Sequence, residues 1–255
     1  MKTVLKILKW LVLAIVVMLL VAFIMLKVNS ERLPEGTPSA EADQLAKEMM
    51  AAVNVAAWDS TQFVKWNFSG REQLLWDKER NLAIVEWDEG KYKAYINNDE
   101  IDGKVFENGQ LVEAEKADDL IRSAWRKVQN DAFWLNAPAK AFDPGTTRSL
   151  VTVKDGREGL MVSYSSGGVT PGDSYVWILD EHNKPIAWKM WVKIIPIGGL
   201  ETSWEDYKTL YSGAEVAQKH MPNFMKRGLE LTDIEAAETY QELGFDSDPF
   251  APLFE

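Results

Sequence analysis

The side chains that could carry chemistry are few. The 255 residues include two histidines, His182 and His220, and no cysteine. Thiol nucleophiles, thiolate metal sites, disulfides and an N-terminal lipid on cysteine are thereby excluded. His182 lies in Asp180-Glu181-His182-Asn183-Lys184, a hairpin turn in which a solvated imidazole is expected. His220 ends a strand-like run and has no partner recognisable from sequence. A Ser-His-Asp arrangement would have to use one of the two, and no G-x-S-x-G elbow is present. Adjacent carboxylates occur at Asp118-Asp119 and Glu205-Asp206. Neighbours on a strand point to opposite faces, so Glu205 and Asp206 cannot act on one bond, and a solvated face is the simpler reading. Ser166-Gly167-Gly168-Val169-Thr170-Pro171-Gly172-Asp173 has the glycines of a phosphate loop but lacks its lysine and joins two strands, which makes it a hairpin loop. These readings supply no catalytic residue, metal site or cofactor.

The conspicuous residue is tryptophan. Eleven are present, and Trp66, Trp76, Trp87, Trp177, Trp188, Trp191 and Trp204 fall in strand-like segments. Aromatic residues favour strands and bury large areas, so core packing is one explanation. The other is that some line an apolar pocket. The candidates for such a lining are Trp66, Phe68, Trp76, Trp177, Trp188 and Met190.

The elements that would position them are legible in the periodicity. Leu45, Met49, Ala52, Val53 and Ala56 recur at helical spacing, which predicts a helix over residues 39–56 capped by Thr37 or Ser39. From Thr61 the period is two, with turn residues between short runs, the pattern of an antiparallel meander. The apolar stripe Ala117, Leu120, Ile121, Ala124, Trp125 and Val128 predicts a second helix over 115–130. Strands are expected again over 149–154, 159–164, 174–180, 185–195, 200–209 and 214–220. Thr232-x-x-Glu235 has the form of a capping box and predicts a last helix, followed by an acidic tail lying on the surface or fraying. Residues 82–87, 175–179 and 188–197 are apolar on both faces, so something must cover both sides of the sheet they form. Along the last of these, Ile186, Trp188, Met190 and Val192 alternate with Lys189, Trp191 and Lys193, and the lysine-free set is expected inside.

The N-terminus differs from the rest. Lys2, Lys6 and Lys9 precede residues 10–26, a run of 17 without a charge, which Lys27 closes. As a helix the run rises about 26 Å, against a hydrocarbon core of roughly 30 Å, and the flanking lysines can snorkel. A cleaved signal peptide is the rival reading; its apolar core is shorter, and only Val28-Asn29-Ser30 stands in for a cleavage site. The charge bias keeps the N-terminus in the cytoplasm and exports the rest. Four lysines precede Ser30, so the remainder holds 24 Lys and Arg against 39 Asp and Glu, a net −15. Such a balance argues against nucleic acid as a partner.

The layout of helix, meander, helix and second meander resembles the LolA/LolB-like lipoprotein-carrier superfamily. The local text that carries the likeness is Phe133-Trp134-Leu135-Asn136-Ala137-Pro138, Phe142-Asp143-Pro144-Gly145, Thr170-Pro171-Gly172-Asp173-Ser174-Tyr175, Gly198-Gly199-Leu200, Trp204-Glu205-Asp206-Tyr207 and Ser212-Gly213-Ala214. The resemblance implies an α+β fold, a curved antiparallel β half-barrel with helices on its concave face and a cavity for acyl chains. Residues 1–30 are then cytoplasmic stub and transmembrane anchor, 31–38 a linker, 39–222 the half-barrel, and 223–255 a C-terminal helix and tail. The expected function is a domain tethered to the bacterial inner membrane by a single pass. It faces the periplasm and binds a lipid or other apolar ligand without catalysis. An envelope scaffold with a packed core and a protein partner is the first alternative, and a hydrolase using His182 or His220 the second.

Overall fold

The computed structural model describes residues 2–166 and 171–255, with part of the side chains of the first helix. Residues 167–170, the centre of the glycine loop read above as a hairpin, lie outside the described residues. The N-terminal run forms α1 (Lys2–Asn29). Among the described residues no helix is long and apolar enough to cross a membrane.

Ser39 caps α2 (Ala40–Ala52), its side chain accepting from the Ala42 amide at 3.1 Å. The helix expected to reach residue 56 stops early because Asn54 takes a left-handed conformation and caps the short α3 (Val55–Asp59). A meander follows: β1 (Phe63–Phe68), β2 (Glu72–Asp77), β3 (Leu82–Trp87), β4 (Tyr92–Asn97), β5 (Asp102–Glu107) and β6 (Gln110–Leu111). Asn108-Gly109, with φ of 49° and 78°, closes the last hairpin in the two-residue geometry that suits the strand twist. The second helix, α4 (Ala114–Asn136), outruns its expected end, and Pro138 opens a 3-10 turn, Ala137–Lys140. The second half contains β7 (Thr146–Thr152), β8 (Glu158–Tyr164), β9 (Ser174–Leu179), β10 (Pro185–Trp191), β11 (Leu200–Ser203), β12 (Glu205–Thr209), β13 (Glu215–His220) and β14 (Leu229–Ala237).

These strands make an α+β fold of two open antiparallel sheets. One has nine strands in the order β12-β13-β14-β1-β2-β3-β4-β5-β6, the other five in the order β11-β10-β9-β8-β7. The single strand expected over 200–209 is two: Trp204 separates β11 from β12, which pair in different sheets. Register stacks inward residues across the larger sheet, Trp66 opposite Leu74, Leu74 opposite Val85, Val85 opposite Ala94 and Ala94 opposite Val105. Ile121, Ala124 and Val128 of α4 pack on that face. Ala42, Ala46 and Met49 of α2 pack on the inner face of the smaller sheet, so the two helices divide between the sheets.

The helix expected at Thr232 is β14, a strand bonded to β1 inside the nine-stranded sheet. The register slips between Lys65 and Asn67, which face Glu235 and Thr232, and Asp233 carries a φ of 52°. This bulge inserts one residue into β14. It separates the buried Leu231 and Ile234 by three positions, the spacing that imitates a helix.

Both outer faces are covered by terminal segments. Residues 31–38, read as a linker, run over the smaller sheet: the Trp191 indole donates to the Glu31 carbonyl at 2.9 Å, Pro38 bridges Ser149, and Gly36 lies against Val151 with no room for a Cβ. Beneath lie Val151, Met161, Val176 and Ile178. The acidic tail packs Leu243, Phe245, Phe250 and Leu253 onto Phe63, Leu75, Ile84 and Tyr95 of the larger sheet instead of fraying. Arg80 holds it through paired bonds to Asp248 of 2.6 and 2.9 Å. Phe250 is wholly buried. Phe250→Ala should therefore cost about 3–5 kcal/mol in urea unfolding, where a loose tail would cost nothing measurable.

Candidate functional site

The six residues read as cavity lining separate into two groups. Trp66, Phe68 and Trp76 belong to the interior between the larger sheet and α4. Trp177, Trp188 and Met190 belong to the interior between the smaller sheet and α2. Trp188 is 0% exposed and touches five rings, with centroid distances of 5.6 Å to Phe133, 4.8 Å to Trp134, 4.6 Å to Tyr175, 4.9 Å to Trp177 and 5.0 Å to Trp204. Of the lysine-free set on this strand, Trp188 and Met190 turn inward, but Ile186 is exposed. The register slip between Pro185 and Ala187 changes the phase of the strand there. On the outer side Lys189 is buried, its ammonium 3.0 Å from both Glu31 carboxylate oxygens.

His220 closes this aromatic group, 4.4 Å from the Trp204 ring and 5.1 Å from Trp134. Burial pushes its pKa down to about 3, and the nearby backbone of Ser203 and Trp134 offsets only part of that. It is a neutral packing residue at any ordinary pH. His182 stands in solvent, 3.6 Å from Glu181. The indole nitrogens of Trp66, Trp188 and Trp204 have no hydrogen-bond partner among the described residues. Leaving such donors unpaired costs about 1–3 kcal/mol each. No group of three or more histidine, aspartate or glutamate side chains is placed to hold a metal ion among the described residues.

The interior of the larger sheet holds a polar group that sequence reading missed. Lys127 of α4 reaches Glu72 of β2 at 2.6 Å, one turn from Asp131, whose carboxyl bonds Asn130 at 2.9 Å. Asp131 is 2% exposed. Burial, with the Glu72 charge adding to it, raises its pKa to about 7 despite the bond from Asn130 and the Lys127 charge. The only signal was an aspartate at position i+3 from the apolar Val128 on the buried stripe, and the Lys127–Glu72 pair beside it joins residues 55 apart in sequence.

The interior opens in a groove of about 500 Å³ at the edge of the smaller sheet. Leu45 of α2, Leu150 of β7, Leu160 of β8 and Leu179 of β9 supply apolar walls, and Glu35, Glu158, Asp180 and Asn183 a polar rim. Leu45, Leu160 and Leu179 also pack with Trp177 and Trp188, so the wall of the groove is the outer layer of the aromatic interior.

No protein-family profile matches the chain. No curated protein matches it either. Among solved structures, a DUF1329 family protein from Desulfovibrio piger is similar, at 11% identity over 79% of this chain and 94% of that one, with a TM-score of 0.41.

The Asp131 carboxyl makes a measurable pH dependence. Its folded pKa of about 7 lies above the usual 3.8, so the native state keeps a proton that the unfolded chain has already lost. Its contribution is therefore full below about pH 4 and lost as the pH rises to about 7. Asp131→Asn should flatten this slope and raise stability at about pH 8 by up to about 4 kcal/mol. Urea unfolding at the two ends of that range measures it; an equal change at both ends would show that Asp131 does not titrate there.

Proposed function

We propose that this chain is a membrane-tethered, LolA-like half-barrel that holds the apolar part of a lipid or similar ligand, without catalysis, on the periplasmic side of a bacterial inner membrane. The observation that carries the reading is the groove of about 500 Å³ whose leucines back directly onto Trp177 and Trp188. Its volume falls in the range of small-molecule sites, and leucines set within a polar rim suit an amphipathic ligand. The tether rests on the 17-residue uncharged run of α1 and its lysine bias. The likeness to lipoprotein carriers rests on the motifs quoted above and on two open sheets with helices against their inner faces.

A packed interior favours a second reading, an envelope scaffold that recognises a protein. Trp188 has no exposed surface and five ring neighbours. Native mass spectrometry of the full chain extracted from membranes separates the two. The first reading expects a co-purified lipid, and expects Leu45→Ser with Leu179→Ser to weaken an apolar fluorescent probe by well over tenfold, since each leucine side chain lost from the contact is worth about 1.5–3 kcal/mol. Trp188→Ala should cost about 3–5 kcal/mol of stability under either reading. Absence of both lipid and probe binding in the folded, unmodified chain would leave the scaffold.

A further inference from the structure

The end of the smaller sheet that receives the chain from α1 carries an uncovered apolar and basic surface. Two loops protrude there together: the β10–β11 connection, residues 192–199, and the β13–β14 connection, residues 221–228. The second loop is held against β11, into which the first loop leads, the Ser203 amide donating to the Met221 carbonyl at 3.0 Å and the Asn223 amide to the Glu201 carbonyl at 3.1 Å. Ile194 is 74% exposed, Phe224 64% and Met225 52%. The chain leaving α1 is pinned to the first loop: the Gly198 amide donates to the Ser30 hydroxyl at 2.9 Å, and the Glu31 amide to the Gly198 carbonyl at 2.8 Å.

Charge at this end runs against the rest of the molecule. The whole chain carries a net −11, yet Lys226 and Arg227 follow Met225 directly, and Arg32 follows Glu31. All three are exposed, and none makes an ion pair among the described residues. Large apolar side chains at protruding tips, ringed by free cations, suit the boundary between lipid headgroups and acyl chains. The buried core of a protein interface is instead depleted of charge.

We propose that Ile194, Phe224 and Met225, with Lys226, Arg227 and Arg32, form a docking surface for the bilayer into which α1 inserts. The inference rests on the tether reading and adds to it an orientation of the domain.

The absence of cysteine makes the test clean. Ile194→Cys, Phe224→Cys and Met225→Cys, each labelled with a polarity-sensitive fluorophore, are made in the full chain. They are reconstituted in vesicles of phosphatidylethanolamine and phosphatidylglycerol that contain lipids spin-labelled near the headgroup. Trp10→Cys in α1 and Leu111→Cys in β6, at the far edge of the larger sheet, serve as references. The expected result is quenching of about twofold at the three loop positions, as for shallow interfacial burial, and none at Leu111. Loop labels open to aqueous iodide but not to the lipid quencher overturn the docking surface. Labels shielded from both also overturn it, and point to a protein or a second copy as the occupant. Trp10→Cys reports separately: a label there that lipid does not quench removes the tether itself. Lys226→Glu with Arg227→Glu should reduce loop quenching on phosphatidylglycerol vesicles and leave Trp10 unchanged; unchanged loop quenching would remove the cations from the surface.

Discussion

The edge-to-face packing of rings about Trp204 is the contact on which the architecture turns. Trp204 is the one residue between β11 and β12, so the chain passes there from the smaller sheet to the larger. Its ring lies 4.9 Å from Trp177, 5.0 Å from Trp188 and 4.4 Å from His220, and thus ties β9, β10 and β13 together. Trp134 of α4 meets both Trp188 and His220. A helix seated mainly on one sheet thereby locks the angle to the other. Such pairs add about 0.5–1.5 kcal/mol each beyond the area they bury, and here they share rings, so the junction is cooperative and does not bend at one contact alone.

Two sheets that are apolar on both faces need four covers, and α2 and α4 supply only the inner two. The remaining two come from segments outside the sheets: residues 31–38 on the smaller sheet and the C-terminal tail on the larger. The first cover carries an electrostatic condition as well. Lys189 is buried on the outer face, and Glu31 neutralises it, with Asp155 at 3.4 Å as a second carboxylate. A buried ammonium without its partner is costly, so the strap's position follows from the charge as much as from the apolar residues beneath it. The segment that joins α1 to the domain is therefore part of the fold, and motion of α1 relative to the sheet must begin no later than Ser30.

Much of this was legible in the sequence because local rules and tertiary demands agreed. The alternation of Val64, Trp66 and Phe68 and the Ala117–Val128 stripe each showed a clean period, and Ser39 added a terminus signal to α2. Failure came where one residue changed the phase. The bulge at Asp233 made β14 read as a helix, and the slip beside Pro185 turned Ile186 outward from the set that holds Trp188 and Met190. The strap, and the burial of the tail, went unread for a different reason. Their residues have no period of their own, and only the second apolar face of the strands they cover showed that a cover had to exist. The Glu72–Lys127–Asp131 group was invisible because a charge on a helix reads as solvated unless the opposing strand is known.

The tryptophans illustrate how far residue type alone can carry function. An interior rich in indoles can be a ligand cavity or a packed core, and composition does not separate them. What separates them is the layer outside. Around Trp188 five rings fill the space, whereas one layer out the leucines of α2, β8 and β9 face an opening. A close-packed interior transmits strain and does not swell to admit an acyl chain at small cost. On the proposed reading the ligand is met at the rim, where α2 is tied to β7 by the Asp43–Arg148 ion pair of 2.5 Å and the aromatic interior behind it forms a rigid wall.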